Sequence, residues 1–311
     1  MTNISSPEDK EGSSTVRDGL LFGVFAYTFW GLFPIYLKAI SSVPVLEVLS
    51  HRILWSVPFG ALLILLRRQW PEVKAALKDK RVLMMLACAA ISISLNWAIY
   101  VWAVVNDRVL EASLGYYINP LMYVVAGVFI LKEKMNALQM AAVVFAGLGV
   151  LVLTIGGGAF PWISFTLALL FTAYGYIRKT VNVGAMPGLF IEVCMLTPLA
   201  LIYLLWLMQA GNAVFLGNGT SPAMSLLITA AGPATVIPLV LFALSARRLR
   251  LMTVGFLQYI GPTLQFILGI YYGEEFTTAH AICFGLIWIG LAVYSYDAVK
   301  ANQTTKQSKD A

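Results

Sequence analysis

Long apolar runs alternate along the chain with short polar stretches. The runs recur at the length a helix needs to cross a hydrocarbon core of roughly 30 Å, about 20 residues. Ten stand out, at 19–38, 46–66, 82–104, 110–131, 138–155, 160–178, 188–208, 225–245, 252–271 and 279–297. The pattern predicts an all-α membrane protein of ten transmembrane helices. The longest polar stretches, RRQWPEVKAALKDKR at 67–81 and QAGNAVFLGNGTSPAM at 209–224, leave no room for a soluble domain. Function is therefore expected among the helices.

The runs also repeat. EASLGYYINPL, Glu111 to Leu121, has a near-copy in GFLQYIGPTLQ, Gly255 to Gln265. One offset of 142 carries Arg108 onto Arg250, Tyr117 onto Tyr259, Ile118 onto Ile260, Pro120 onto Pro262, Gly127 onto Gly269 and Glu133 onto Glu275. Lys38 with Lys179 and Pro44 with Pro187 extend the match weakly toward the first helices, at offsets of 141 and 143. Five helices per half place the second copy upside down relative to the first, so the expected architecture is two inverted five-helix repeats, 19–155 and 160–297. Short tails at 1–18 and 298–311 flank them. Gly156, Gly157 and Gly158 lack the Lys-Ser/Thr of a phosphate loop and read as the flexible join. Pro inside an apolar helix removes a backbone donor and kinks it, which makes Pro120 and Pro262 hinge candidates. Such interrupted segments at matching places in two halves point to a transport site, and inverted repeats suit alternating access.

Composition removes other classes. With 59% hydrophobic and 12% charged residues and a mean hydropathy of +0.81, the chain is polytopic in a lipid bilayer. The net charge of +6 sits in short clusters between spans, where it reads as an orientation signal and not as a nucleic-acid footprint. All of the 21 Lys and Arg except Lys38, Arg52 and Arg108 fall on one side when both termini are cytoplasmic, which fixes the expected topology. Cys88, Cys194 and Cys283 lie singly in apolar runs, without metal or redox spacing. Neither a metal nor a cofactor is implied. Residues 1–18 lack the features of a signal peptide, so the first run is expected to stay as a helix.

Several strings together resemble a known family: WGLFPIYLK at Trp30 to Lys38, EVLSHRILWS at Glu47 to Ser56, Asn96-Trp97, EASLGYYINPL, YGYIRK at Tyr174 to Lys179, and RLRLMTVGFLQYIGPTLQF at Arg248 to Phe266. They resemble the RarD proteins, in the EamA branch of the drug/metabolite transporter superfamily, from Gly19 to about Asp297. The resemblance implies a bacterial inner-membrane permease or exporter of a small organic molecule, with ten helices in two inverted repeats. The family name is tied to chloramphenicol resistance, and the physiological substrate is not implied.

Ionisable groups inside a bilayer are costly, so each is a functional candidate. Arg52 lies about six residues into its helix, roughly 9 Å deep, within reach of substrate and also within reach of the surface by snorkelling. Glu47 and His51 are four apart on one helix face and form a titratable pair, which makes a proton a candidate coupling ion; the competing reading is a structural hydrogen bond at the helix mouth. Glu192, placed opposite His51 by the repeat, has no cation within one helical turn. Glu111 suits the N-terminal end of a helix, Glu133 and Glu275 suit solvated ends, and His280 suits the surface. Tyr27, Trp30, Trp97, Tyr116, Tyr117, Gln258, Tyr259 and Gln265, with Asn119 beside the proline, lie within spans; they either line a pocket for an amphipathic molecule or pack helix on helix.

Two other classes compete. An intramembrane enzyme needs a nucleophile and base, a carboxylate pair or a metal motif, and the sequence holds no HExxH, while Ser113 lacks glycine flanks. A channel is expected to show a carbonyl filter or a ring of like charges.

Overall fold

The computed structural model describes residues 7–132, 135–217, 220–246, 248–249 and 257–310, and among them every regular element is helical. In chain order these are α1 (Pro7–Ala39), α2 (Val45–Leu66), α3 (Trp70–Ala76), α4 (Lys80–Val105), α5 (Val109–Leu131), α6 (Ala137–Gly157), α7 (Trp162–Thr180), α8 (Ala185–Gln209), α9 (Pro222–Thr229), α10 (Ala231–Ala246), α11 (Ile260–Tyr271) and α12 (Thr278–Asp310). Seven stretches among the described residues are long and apolar enough to cross a membrane: Val16–Ala39, Val45–Leu66, Lys80–Val105, Ala137–Gly157, Ala185–Gln209, Pro222–Phe242 and Thr278–Tyr296. The chain is thus a multi-pass, all-α membrane protein.

Polar residues set several helix starts by accepting the N–H groups that a first turn leaves unpaired. Asp79 accepts from Arg81 N at 2.8 Å and Val82 N at 3.2 Å; Asn136 and Gln139 form a capping box; Ser221 accepts from Met224 N at 3.2 Å. The start of α5 is capped from far along the chain, where Glu274 accepts from Val109 N at 2.5 Å and Leu110 N at 2.7 Å. Burial pushes the Glu274 carboxyl above its ordinary range, and those two hydrogen bonds oppose the shift.

Four expectations change in detail. The loop at 67–81 holds α3, begun by Trp70 and Pro71 after Gln69, because Pro at the first turn loses no hydrogen bond. The expected run 225–245 is two segments, α9 and α10, joined at Ala230; Pro233 sits in the first turn of α10, and Ala234 N still reaches Ala230 O at 2.9 Å. The tails are also helical where described, since α1 begins at Pro7 and α12 continues to Asp310, well past the apolar run. Of the expected run 252–271, α11 supplies only Ile260–Tyr271, and residues 252–256 lie outside the described residues.

The main packing partners are α6 with α12, α5 with α7, α4 with α7, α2 with α8, α1 with α10, α2 with α10, α1 with α11 and α5 with α11. Between α6 and α12 the approach is close. A Cβ on Gly149 would stand 2.9 Å from Cys283 O, and one on Gly290 would stand 2.8 Å from Ala142 O. Small residues at such seams let backbones pack without a hydrophobic drive between helices, which lipid does not supply. Outward-facing Phe25, Leu65, Phe129, Ile155, Leu199, Leu226 and Tyr271 are exposed, as lipid contact requires.

Candidate functional site

Helices α1, α2, α4, α5 and α10 converge on Arg52. Position 52 falls on the buried face of α2, together with Val48 and Ser56 one turn to either side. Arg52 is 6% exposed, so its cation is held inside the bundle and does not snorkel. Its guanidinium carbon lies 4.2 Å from the ring centroid of Trp97 on α4 and 5.0 Å from that of Phe33 on α1. Arg52 Nε donates to Thr235 Oγ1 on α10 at 2.8 Å. Tyr36, Tyr100 and Tyr116 stand close enough to interact with its charge. Among the described residues no carboxylate forms an ion pair with it, and Nη1 has no hydrogen-bond partner.

The surrounding rings are themselves fixed. Phe33 stacks on Tyr36 at 5.3 Å and on Tyr100 at 6.4 Å; Tyr100 meets Tyr116 edge-on at 5.7 Å. Tyr36 donates to Leu227 O at 2.9 Å, and Asn96 donates to Leu167 O at 3.0 Å while accepting from Tyr116 at 3.4 Å. The Tyr100 hydroxyl, like Nη1 of Arg52, is buried without a partner among the described residues. Cation–π contact contributes about 2 kcal/mol when desolvated, which offsets only part of the cost of a buried lone charge.

Glu47 and His51 do not join this cage. Glu47 is fully buried and accepts from Val214 N at 2.9 Å and Phe215 N at 2.8 Å, pinning the stretch after α8 to the mouth of α2. Its carboxylate lies 3.9 Å from His51 Nε2, and the His51 ring packs on Phe215 at 4.5 Å between centroids. Glu192 is also fully buried, and the cation that local sequence lacks comes from α7: Arg178 Nη1 lies 3.3 Å from Glu192 Oε1, with Tyr174 donating to Oε2 at 3.3 Å. Arg178 further donates to Gly184 O and Ala185 O, both at 3.0 Å. That network spans the turn between α7 and α8.

The remaining candidates gather on a second seam, formed by α1, α5 and α11. Tyr117 and Tyr259 face one another nearly parallel at 6.4 Å, and the Tyr117 hydroxyl shares a hydrogen bond of 2.6 Å with Thr263. Gln265 donates to Trp30 O at 3.1 Å; Trp30 meets Tyr27 at 5.5 Å and Phe242 at 6.0 Å. Ser113 donates to Pro262 O at 2.7 Å. Asn119 is buried with Oδ1 unpartnered among the described residues, and Gln258 is half-buried. Pro120 lies inside α5, whereas Pro262 lies in the first turn of α11, where its missing N–H costs nothing.

Lys38 and Arg108 are locally held. Lys38 pairs with Asp107 and lies 5.4 Å from the Tyr272 ring centroid, and Arg108 Nη1 lies 3.2 Å from Glu111. Glu275 is exposed and Glu133 lies outside the described residues. His280 Nδ1 is 2.8 Å from Thr277 Oγ1 in a local cap. Two small apolar pockets adjoin α2: Ser56, Gly60, Phe190 and Thr235 line one, Glu47, His51, Trp55 and Phe215 the other. The first shares Thr235 with Arg52, and Ser56 Oγ donates to Arg52 O at 2.6 Å.

Sequence reasoning missed Phe33, Tyr36, Tyr100 and Thr235. A signal existed for the first three, since Phe33 with Tyr36 and Trp97 with Tyr100 are each three apart and share a helix face.

Comparison with known proteins places this geometry in a lineage. The family model described as EamA-like transporter family matches residues 17–155. The chain is 41% identical over 292 residues to Protein RarD of Escherichia coli strain K12, covering 94% of this chain and 98% of that one. It is 40% identical over 294 residues to an uncharacterised transporter of Vibrio cholerae, covering 94% and 97%. A solved crystal structure of 19% sequence identity superposes with a TM-score of 0.56, covering 88% of this chain and 96% of that one, a likeness of fold.

Proposed function

The chain belongs to the RarD group of the EamA-like transporter family, and from that premise we propose that it carries a small organic molecule across the bacterial inner membrane by alternating access. The carrier is read as ten transmembrane helices in two inverted repeats, 19–155 and 160–297, with both termini cytoplasmic.

The observation that carries this reading is the pairing of repeat-related contacts. Gly149 packs on Cys283, and a shift of 141 residues turns that pair into Gly290 and, read backwards, Ala142, which pack on each other at the same seam. Tyr117 and Tyr259, mates under the repeat, stack on each other. If α1, α2, α4, α5 and α6 correspond to α7, α8, the α9–α10 pair, α11 and α12, then the contact of α1 with α10 is the mate of α4 with α7, and that of α1 with α11 is the mate of α5 with α7. A pseudo-two-fold axis relating the halves makes the seams exchangeable, so one half can close as the other opens. The match of the family model to residues 17–155, close to the first repeat, supports the same division.

Under this reading Arg52 and its rings are the substrate path, and the seam holding Trp30, Tyr117, Asn119, Gln258, Tyr259 and Gln265 is where the halves move. An untargeted comparison of metabolites retained by cells with and without the gene nominates substrates. Their uptake into vesicles holding the purified protein should saturate; steady ion conductance without saturable solute flux contradicts the proposal.

A further inference from the structure

We propose that the Arg52 cage takes a singly charged organic carboxylate with a flat apolar body, whose carboxylate docks on the unpartnered Nη1 of the buried guanidinium. The inference rests on the transport reading for its physiological meaning, and on the cage alone for its chemistry. Among the described residues Arg52 enters the bundle without a counter-charge: its hydrogen bond goes to the neutral Thr235, and its guanidinium carbon sits over the rings of Trp97 and Phe33. Contact with a ring gives a guanidinium no hydrogen-bond acceptor, which leaves the in-plane N–H edge as the direction from which a ligand completes it. The unpartnered Nη1 lies on that edge.

A second unpartnered donor, the Tyr100 hydroxyl, belongs to the same ring cluster, and both side chains are more than nine-tenths buried. Donors without acceptors select an acceptor-only group, and ionised carboxylates are acceptor-only. Charge fixes the valence. One buried cation balances one negative charge, whereas a doubly charged phosphate would leave a net charge in the low-dielectric interior. The walls fix the body of the ligand. Phe33, Trp97, Tyr100 and Tyr116 offer ring faces and edges, and the neighbouring pocket shared through Thr235 is lined almost wholly by apolar side chains. Glu47 and Glu192, the buried acids of α2 and α8, are engaged by backbone amides and by Arg178, so neither neutralises Arg52.

The test uses the full-length protein in detergent and two matched pairs, phenylacetate with phenylacetamide and indole-3-acetate with indole-3-acetamide, read by tryptophan fluorescence and by thermal shift. Each acid should bind at least about tenfold tighter than its amide, the difference expected of a charge-assisted hydrogen bond. Arg52→Gln should erase that preference and Tyr100→Phe should reduce it. If Arg52→Gln does not fold, wild type and Tyr100→Phe still decide. Equal binding of acid and amide, a preference that survives Arg52→Gln, or failure of both acids to bind overturns the inference. Saturable vesicle uptake confined to neutral or cationic solutes and indifferent to Arg52→Gln would leave the carrier standing without its anion site; Arg52-dependent acid binding with no saturable uptake would do the reverse.

Discussion

Adding one methyl group at Gly149 tests the packing at the seam of α6 and α12. The new Cβ would stand 2.9 Å from Cys283 O, and at Gly290 it would stand 2.8 Å from Ala142 O; in each case the obstacle is backbone, which cannot rotate away as a side chain can. The helices must separate by a few tenths of an ångström, and forcing an extra methyl into a well-packed contact costs about 1–3 kcal/mol. For folded domains of a couple of hundred residues each kcal/mol shifts the melting midpoint by about 2–4 °C, so Gly149→Ala and Gly290→Ala should each lower it by roughly 2–12 °C. The control lies on the same helix: a Cβ at Gly147 meets nothing within 4 Å, and Gly147→Ala should change the midpoint little or raise it through helix propensity. Because both glycines act on one seam, the double variant should cost less than the two added together. Fluorescence-detected melting of the purified protein in one detergent gives all four values. A Gly147→Ala loss equal to that of Gly149→Ala, or a neutral Gly149→Ala, refutes the reasoning.

Further outcomes follow from individual contacts. Glu47→Gln should loosen the stretch after α8, with backbone amides of Val214 and Phe215 exchanging hydrogen at least about tenfold faster, since charged hydrogen bonds contribute about 1.5–3 kcal/mol; unchanged exchange would show that Glu47 does not hold them. Pro120→Ala should slow saturable uptake more than Pro262→Ala, because Pro120 interrupts α5 whereas Pro262 occupies a first turn; equal effects in matched vesicles would contradict this. A reporter active only outside the cytoplasm, fused after Asp297, should be silent, and activity there would overturn the proposed orientation.

Length and hydropathy made the helices legible, because a spanning segment must satisfy its backbone internally and face lipid, and no other fold offers that over such runs. Tyr117 and Tyr259, set at matching places by the sequence, meet across one seam, and Gly149 and Gly290 each meet the facing helix at another. Depth and partners were not legible. The position of Arg52 six residues into α2 allowed snorkelling or burial, and only the rings brought by α1 and α4 decide between them. Spacing four apart suggested that Glu47 and His51 pair, and they lie 3.9 Å apart; the amides that the same carboxylate accepts, 167 and 168 positions along the chain, left no local signal. Glu274 escaped notice because its two partners lie 165 and 164 residues away, beyond any local pattern.

Alternating access itself is most directly tested at Ser56, which is 2% exposed, hydrogen-bonds to the Arg52 carbonyl and lines the adjoining pocket. Ser56→Cys would be made in a chain whose Cys88, Cys194 and Cys283 are replaced by Ala, and sealed vesicles of known orientation would be treated with a membrane-impermeant thiol reagent from either side. The account predicts labelling from both sides in separate experiments, without ion conductance, and with rates that an added substrate shifts in opposite directions. Labelling from one side alone, whatever is added, would contradict it.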